Sequence, residues 1–353
     1  MAKLYFTDIY SMTRTLDLRS DTVTRPTPAM LEAMMKAPVG DDVFHEDHTI
    51  KALEAECASL FGMEEGLFCP SGTMCNQIAI KAHTRPMDEV ICDHLSHIYY
   101  YETGGYAFNS GCSIKLIQGD RGRVTAEQVR ASIQPDNDWL PISRLVVLEN
   151  TCNKGGGTCY DYGEIERIRA VCDEYGLALH LDGARIFNAL TATGSSPKVL
   201  HDRFDSISVC LSKGLGSPIG SVLLGSKAFI KYARKIRKAL GGGMRQVGYL
   251  GAAGLYALEH HIDRLKEDHD KANRIQSILS DQAYIDSVSP VSTNIVLADV
   301  VASYSVQSVL NHWKDKGLLA VPFGPQTIRL VTHLDLLEDD MILLEEILTS
   351  TPK

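Results

Sequence analysis

The sequence predicts an α/β protein with a mostly parallel central sheet and a smaller C-terminal part, on three observations. Strand-like and helix-like segments alternate along most of the chain, the pattern of helices packed on a parallel sheet. Two apolar runs, LALHLD and SISVCLSK, carry charges (Asp182 and Lys213) where a buried strand runs out. Ligands of open α/β sheets gather at such carboxyl ends. From about Asp263 the chain turns helical and charged (DRLKEDHDKANRIQSIL), and the strand-like pieces TNIVLADV and TIRLVTH follow.

In chain order, EEGLFCPSGTMCNQIAIKAH reads as a strand ending near Leu67–Cys69, a turn at Ser71-Gly72-Thr73 and a helix over Met74–His83. A helix start beside hydroxyl residues can bind phosphate through free backbone N–H groups and the dipole; a plain helix cap uses the same residue types. Asp161–Tyr175 shows helical spacing of Ile165, Ile168, Cys172 and Tyr175, with Gly176 as the stop. The buried strand to Asp182 follows at once. DSISVCLSKGLGSPIGSVLLG then reads as a strand into Lys213, a glycine-rich turn and a second apolar strand. Asn153-Lys154-Gly155-Gly156-Gly157 precedes no clear helix and reads as a loop.

Composition narrows the function. The 353 residues are 44% hydrophobic and 22% charged, which excludes disordered, collagen-like and coiled-coil chains. A net charge of −9 opposes phosphate backbones, so nucleic acid is not an expected partner. No apolar run approaches the ~18–20 residues that cross a bilayer. Lys3, Asp8 and Arg14 interrupt the opening stretch, so no secretory signal is expected. The nine cysteines include no C-x-x-C pair, and a reducing cytosol is the simple reading. His45 and His48 lack metal-site spacing, so no metal is expected.

A lysine beside serine and glycines, with an aspartate from a preceding strand, suits pyridoxal phosphate chemistry. The amine of Lys213 would form a Schiff base with the cofactor aldehyde, and Asp182 would keep the pyridine nitrogen protonated. Two ordinary strand-end charges remain the alternative. Arg185 and Arg329 are candidate partners of a substrate carboxylate, or members of structural ion pairs.

DLRSDTVTRPTPAMLEAM (17–34), PVGDDVF (38–44), PSGTMCNQ (70–77), HIYYYETGG (97–105), LHLDGARIFNA (179–189), CLSKGLGSPIGS (210–221), GGGMRQ (241–246) and IRLVTH (328–333) together resemble the L-threonine aldolase family of pyridoxal phosphate enzymes. The resemblance spans nearly the whole chain and implies the aspartate aminotransferase fold type. It implies a large cofactor domain (16–255), a small C-terminal α+β domain (256–353), an N-terminal extension (1–15) and a cytoplasmic homotetramer with sites at subunit interfaces. It places the cofactor on Lys213, the pyridine nitrogen on Asp182 and the imidazole of His97 against the ring face. Ser71, Gly72 and Thr73 would bind phosphate, and Ser20, Arg185 and Arg329 the substrate carboxylate, with Arg185 also near the cofactor. Arg245 would reach a neighbouring subunit's phosphate.

The implied reaction cleaves L-threonine, L-allo-threonine and related β-hydroxy-α-amino acids to glycine and an aldehyde. His97 or a water is the candidate base. Another lyase or a transaminase on the same scaffold, or a non-catalytic homologue, stays open. Two departures stand out. The family's N-T-H-N is Asn150-Thr151-Cys152-Asn153 here, which puts a thiol where a histidine lies near the substrate hydroxyl. The family's G-x-D-P-[ST] is His45-Glu46-Asp47-His48-Thr49, a loss of glycine and proline that should change the loop's backbone options.

Overall fold

The computed structural model describes residues 15–351. Residues 1–14, most of the expected extension, lie outside the described part. Seven strands form the main sheet: β1 (Glu65–Cys69), β2 (Asp88–Asp93), β3 (Ser113–Ile117), β4 (Ile142–Glu149), β5 (Ala178–Gly183), β6 (Ser206–Cys210) and β7 (Ser221–Gly225). Their order is β1-β7-β6-β5-β4-β2-β3. Only β7 runs against its two neighbours; the other pairs are parallel. The strands read as near-continuous apolar runs because helices cover both faces, and Leu179, Leu181, Ile207 and Val209 are buried on one of them.

The expected helices form with their expected ends. Ser71 caps the helix Gly72–His83 by accepting from Met74 N. Asp161 caps Tyr162–Tyr175, and Gly176 ends it at φ 67°, the left-handed geometry that glycine adopts without steric cost. The His45–Thr49 departure resolves simply. His45 takes the left-handed conformation itself, at φ 60°. Asp47 caps the helix His48–Phe61, so His48 stands at the first helical position, where proline is favoured but not required.

Four antiparallel strands follow, Val321–Pro322, Thr327–Val331, Ile295–Val300 and Ile285–Val288 in spatial order. They pack with the helices Leu265–Ser280, Val306–Asp315 and Asp340–Thr349 around a second core that includes Trp313 and Tyr284. Leu16–Asp17 pairs in parallel with Leu318–Leu319, and Leu16 and Leu18 are buried in this second core. The described residues therefore begin on the C-terminal part and then cross to the main sheet. That crossing lays Ser20 and Asp21 over the carboxyl ends of the strands.

Candidate active site

Register builds the site. Glu149 on β4 pairs with Asp182 on β5, and Asp182 with Ser208 on β6, so the polar ends of three neighbouring strands stand side by side. Three residues past β6 comes Lys213, whose carbonyl accepts from the hydroxyl of Thr24 (3.0 Å). A cavity of about 350 Å³ opens there, lined by Ser20, His97, Glu149, Arg185, Lys213 and Arg329, with Tyr101, Asn153 and Phe323 among its other walls.

Asp182 is buried and accepts from Ala184 N (3.0 Å) and from Asn76 Nδ2 (2.7 Å). Asn76, on the buried face of the helix Gly72–His83, also donates to Glu102 Oε1 (2.9 Å). Its Oδ1 accepts from Ser208 Oγ (3.0 Å) and lies 3.2 Å from His180 Nε2. On the other side of the ring, His180 Nδ1 lies 3.1 Å from the Ser206 carbonyl oxygen and 2.8 Å from the Ser206 hydroxyl. Burial pulls His180 down to about 3, consistent with a neutral ring. Asn76 thus meets four partners and fixes two carboxylates against each other.

Glu102 Oε1 also accepts from His97 Nδ1 (3.0 Å), and its Oε2 accepts from Gln77 (2.6 Å). Donation from Nδ1 leaves Nε2 as the acceptor of the neutral ring. Burial lowers the His97 pKa, but the Glu102 hydrogen bond and the charges of Asp182, Glu102 and Glu149 outweigh it and leave it raised. Ligand-type atoms of His97, Glu102 and Asp182 lie within 4.8 Å of one another, and the amide hydrogens of Asn76 serve both carboxylates.

The opposite wall is cationic. Asp21 accepts two bonds from Arg185, Nε to Oδ2 and Nη2 to Oδ1, both 2.7 Å. Burial raises the Asp21 pKa, the guanidinium more than offsets this, and the net is a carboxyl at about 2. Arg185 Nη1 and Arg329 Nη1 converge on one oxygen, Asn153 Oδ1, at 3.4 and 2.9 Å. Burial, then the neighbouring Arg185 charge, drives Arg329 down to about 10. Two guanidiniums with one close carboxylate leave a positive surplus aimed at one acceptor position. A carboxylate suits that position.

At the other end, the first turn of the helix Gly72–His83 leaves Ser71 and Thr73 exposed. The Ser221 hydroxyl is buried there with no hydrogen-bond partner, 3.6 Å from where a Gly72 Cβ would stand. An orphan hydroxyl beside a helix N-terminus suits phosphate.

Lys213, His97, Ser20, Arg185 and Arg329 therefore line one cavity; Asp182 is outside its lining and joins it through Asn76 and Glu102, the partner of His97, with the Ser71–Thr73 turn on the helix that carries Asn76. Two expected residues stand apart. Cys152 is fully buried and does not line the cavity; a Cβ built on Gly122 would meet its Sγ at 2.0 Å, so the thiol faces that turn. Arg245 is exposed and pairs with Asp41 at 3.0 Å. Sequence reasoning missed Asp21, Asn76, Glu102, Glu149 and Asn153. Glu149 ends LVVLEN as Asp182 ends LALHLD, so the signal that found one could have found the other.

The beta-eliminating lyase family model matches residues 17–303. Low-specificity L-threonine aldolase 1 of Arabidopsis thaliana is 40% identical over 335 residues, 93% of this chain and 94% of that one. Low specificity L-threonine aldolase of Escherichia coli O157:H7 is 41% identical over 327 residues, covering 92% and 96%. The chain belongs to this family, among its threonine aldolases. In fold it is similar to a threonine aldolase of Leishmania major, with TM-score 0.81 at 21% identity over 94% of this chain and 98% of that one. A serine palmitoyltransferase of Sphingomonas wittichii shares the fold at TM-score 0.75 and 14% identity, over 95% and 86%. The central mixed, mostly parallel sheet is thus that of the fold-type-I pyridoxal phosphate enzymes expected from the sequence.

Proposed function

We propose that Lys213, Asp182 and His97 carry out, in this cavity, pyridoxal-phosphate-dependent cleavage of L-threonine and L-allo-threonine to glycine and acetaldehyde. The reaction type follows from membership among the threonine aldolases. The observation that carries the residue assignment is the convergence of two guanidiniums on one acceptor position in the cavity that also holds Lys213 and His97, with Asp182 register-paired to the cavity-lining Glu149.

The residues suit the cofactor. Lys213 would hold its aldehyde carbon, Asp182 its pyridine nitrogen, and the Ser71–Thr73 turn with Ser221 its phosphate. When bound, pyridoxal phosphate supplies an electron sink for the pair released from the breaking Cα–Cβ bond. Asp182 is held as an acceptor by Asn76 and Ala184, and its carboxylate would stabilise a protonated pyridine nitrogen. Arg185, Arg329 and Ser20 would grip the substrate carboxylate and so select which Cα bond is broken. His97 is oriented through Glu102, and its free Nε2 takes the proton of the β-hydroxyl. Tyr101 and Phe323 line the same cavity.

The division into a cofactor part (16–255) and a smaller part (256–353) belongs to the same reading; two large cores support two parts, although Leu16 and Leu18 join the second core and Ala257, Leu258 and Leu265 the first. A homotetramer with Arg245 directed to a neighbouring subunit's phosphate is the assembly we infer; exposed Phe44, Tyr99, Tyr100 and Phe108 support an aromatic contact surface. Nine cysteines without a disulfide support a reducing, cytoplasmic setting. No helix of the described residues is long and apolar enough to cross a membrane.

The test measures acetaldehyde and glycine release on threo and allo isomers, beside Lys213→Ala. Wild type should release aldehyde, and the variant should lose turnover and its borohydride-fixed cofactor. Ammonia with a keto acid in place of aldehyde would instead identify a β-eliminating lyase. Cofactor still fixed to the same peptide in Lys213→Ala would remove Lys213 from its role.

A further inference from the structure

Glu149 ends β4 beside Asp182, is 3% exposed, and lines the cavity without a role in the reaction described above. Both of its carboxylate oxygens are used. Oε2 accepts from the backbone N–H of His97 at 2.7 Å, and Oε1 accepts from the backbone N–H of Asn153 at 2.9 Å. These two donors belong to the two halves of the site. His97 opens the segment whose imidazole is held by Glu102, and Asn153 offers the oxygen on which Arg185 and Arg329 converge.

We propose that Glu149 is a positioning residue that sets the imidazole of His97 and the carboxylate clamp at a fixed separation, by gripping one backbone N–H of each. The inference rests on the aldolase reading for what the two halves do, and on geometry alone for what joins them. The demand is for two acceptors at one reach. Glutamine offers one oxygen and turns an NH₂ against the other N–H, which leaves a buried donor unsatisfied. Aspartate keeps both oxygens but is one methylene short.

Charged and titratable neighbours bear on the group from each side: Asp182 on the adjacent strand, His97 above, Arg185 across the cavity, and Cys152, Tyr101 and Tyr160 farther round. Burial first and the Asp182 charge second push the Glu149 carboxyl above its ordinary value. Ionisation of Glu149, and with it the grip on both N–H groups, is then completed only as pH rises toward neutrality.

The experiment compares wild type, Glu149→Gln and Glu149→Asp as purified holoenzymes. It measures kcat and KM for L-threonine across pH, the visible cofactor absorption across pH, and cofactor affinity after resolution and reconstitution. A misplacement of about 1 Å costs on the order of a hundredfold in rate, so both variants should lose at least about tenfold in kcat/KM. Cofactor affinity should stay within about threefold, because Lys213, Asp182 and the phosphate turn are untouched. His97, the proposed base, is itself raised in part by the Glu149 charge, so an acid limb remains in both enzymes; Glu149→Gln should move it to lower pH, while Glu149→Asp keeps the wild-type limb without recovering the rate. If Glu149→Gln does not fold, Glu149→Asp alone decides: a rate and KM equal to wild type overturn the proposal. So does a Glu149→Gln enzyme with the wild-type pH profile and undiminished kcat/KM. If wild type releases no aldehyde at all, the aldolase reading fails. The positioning role is then judged by the cofactor spectrum, which must respond differently to pH in wild type and Glu149→Gln.

Discussion

Asp21→Asn tests the anchor of the carboxylate clamp. In the native chain Asp21 is fully buried and receives two 2.7 Å bonds from Arg185, which is itself almost fully buried. The variant keeps one oxygen for the guanidinium but removes the carboxylate that, among the described residues, faces it at this distance. Breaking a buried pair and leaving one charge behind costs about 3–5 kcal/mol. The pH dependence adds a signature. A carboxyl at about 2 in the folded chain, against its ordinary ~3.9, contributes about 2.6 kcal/mol of stability. Its folded pKa is depressed, so the contribution is full above pH ~4 and disappears as pH falls through about 2. The stability gap between wild type and Asp21→Asn should therefore be widest near pH 5 and should shrink by about 2 kcal/mol on the way to pH 2. Urea unfolding of both proteins across that range reads it. Kinetics give a second arm: the positive surplus of the clamp grows, so threonine should still bind, while the aim of Arg185 degrades. KM should stay within about threefold and kcat should fall on the order of tenfold. A gap below about 1 kcal/mol at pH 5, the worth of a surface pair, would refute the reasoning; so would a gap that widens with acid.

Two further substitutions separate roles within the site. Asp182→Asn should keep the cofactor bound and lose on the order of a hundredfold or more in kcat, because a neutral amide cannot hold a proton on the pyridine nitrogen; near-normal kcat would remove Asp182 from that role. Cys152→Ala should leave the kcat/KM ratio of L-threonine to L-allo-threonine unchanged, since the thiol faces Gly122, whereas Cys152→His should lower stability by about 1–3 kcal/mol through overpacking. A shifted diastereomer ratio in Cys152→Ala would return the thiol to substrate recognition.

The sequence disclosed residues whose reason is local and hid those whose reason is distant. Asp182 and Lys213 stand out because each is a charge where an apolar run ends, a local sign that an ordinary strand end also gives, and the Ser71 turn because a helix needs a cap there. The His45 departure looked disruptive since glycine is the usual left-handed residue, but one residue bearing φ 60° keeps the helix that follows. Asn76 carried a weaker sign, an amide inside the apolar face of a helix, and its partner Asp182 lies 106 residues away. Asp21 sits 164 residues before Arg185 and reaches it only because Leu16 and Leu18 bury themselves in the C-terminal core, which drags the following residues over the strand ends. No periodicity encodes that crossing. Cys152 shows the converse: it occupies the motif position of a residue near the substrate, yet the turn at Gly122 leaves a space next to Cys152 that no Cβ could share, and the thiol fills it. Position in a motif specifies where the backbone passes, while the side chain's direction is decided by whichever neighbour leaves room.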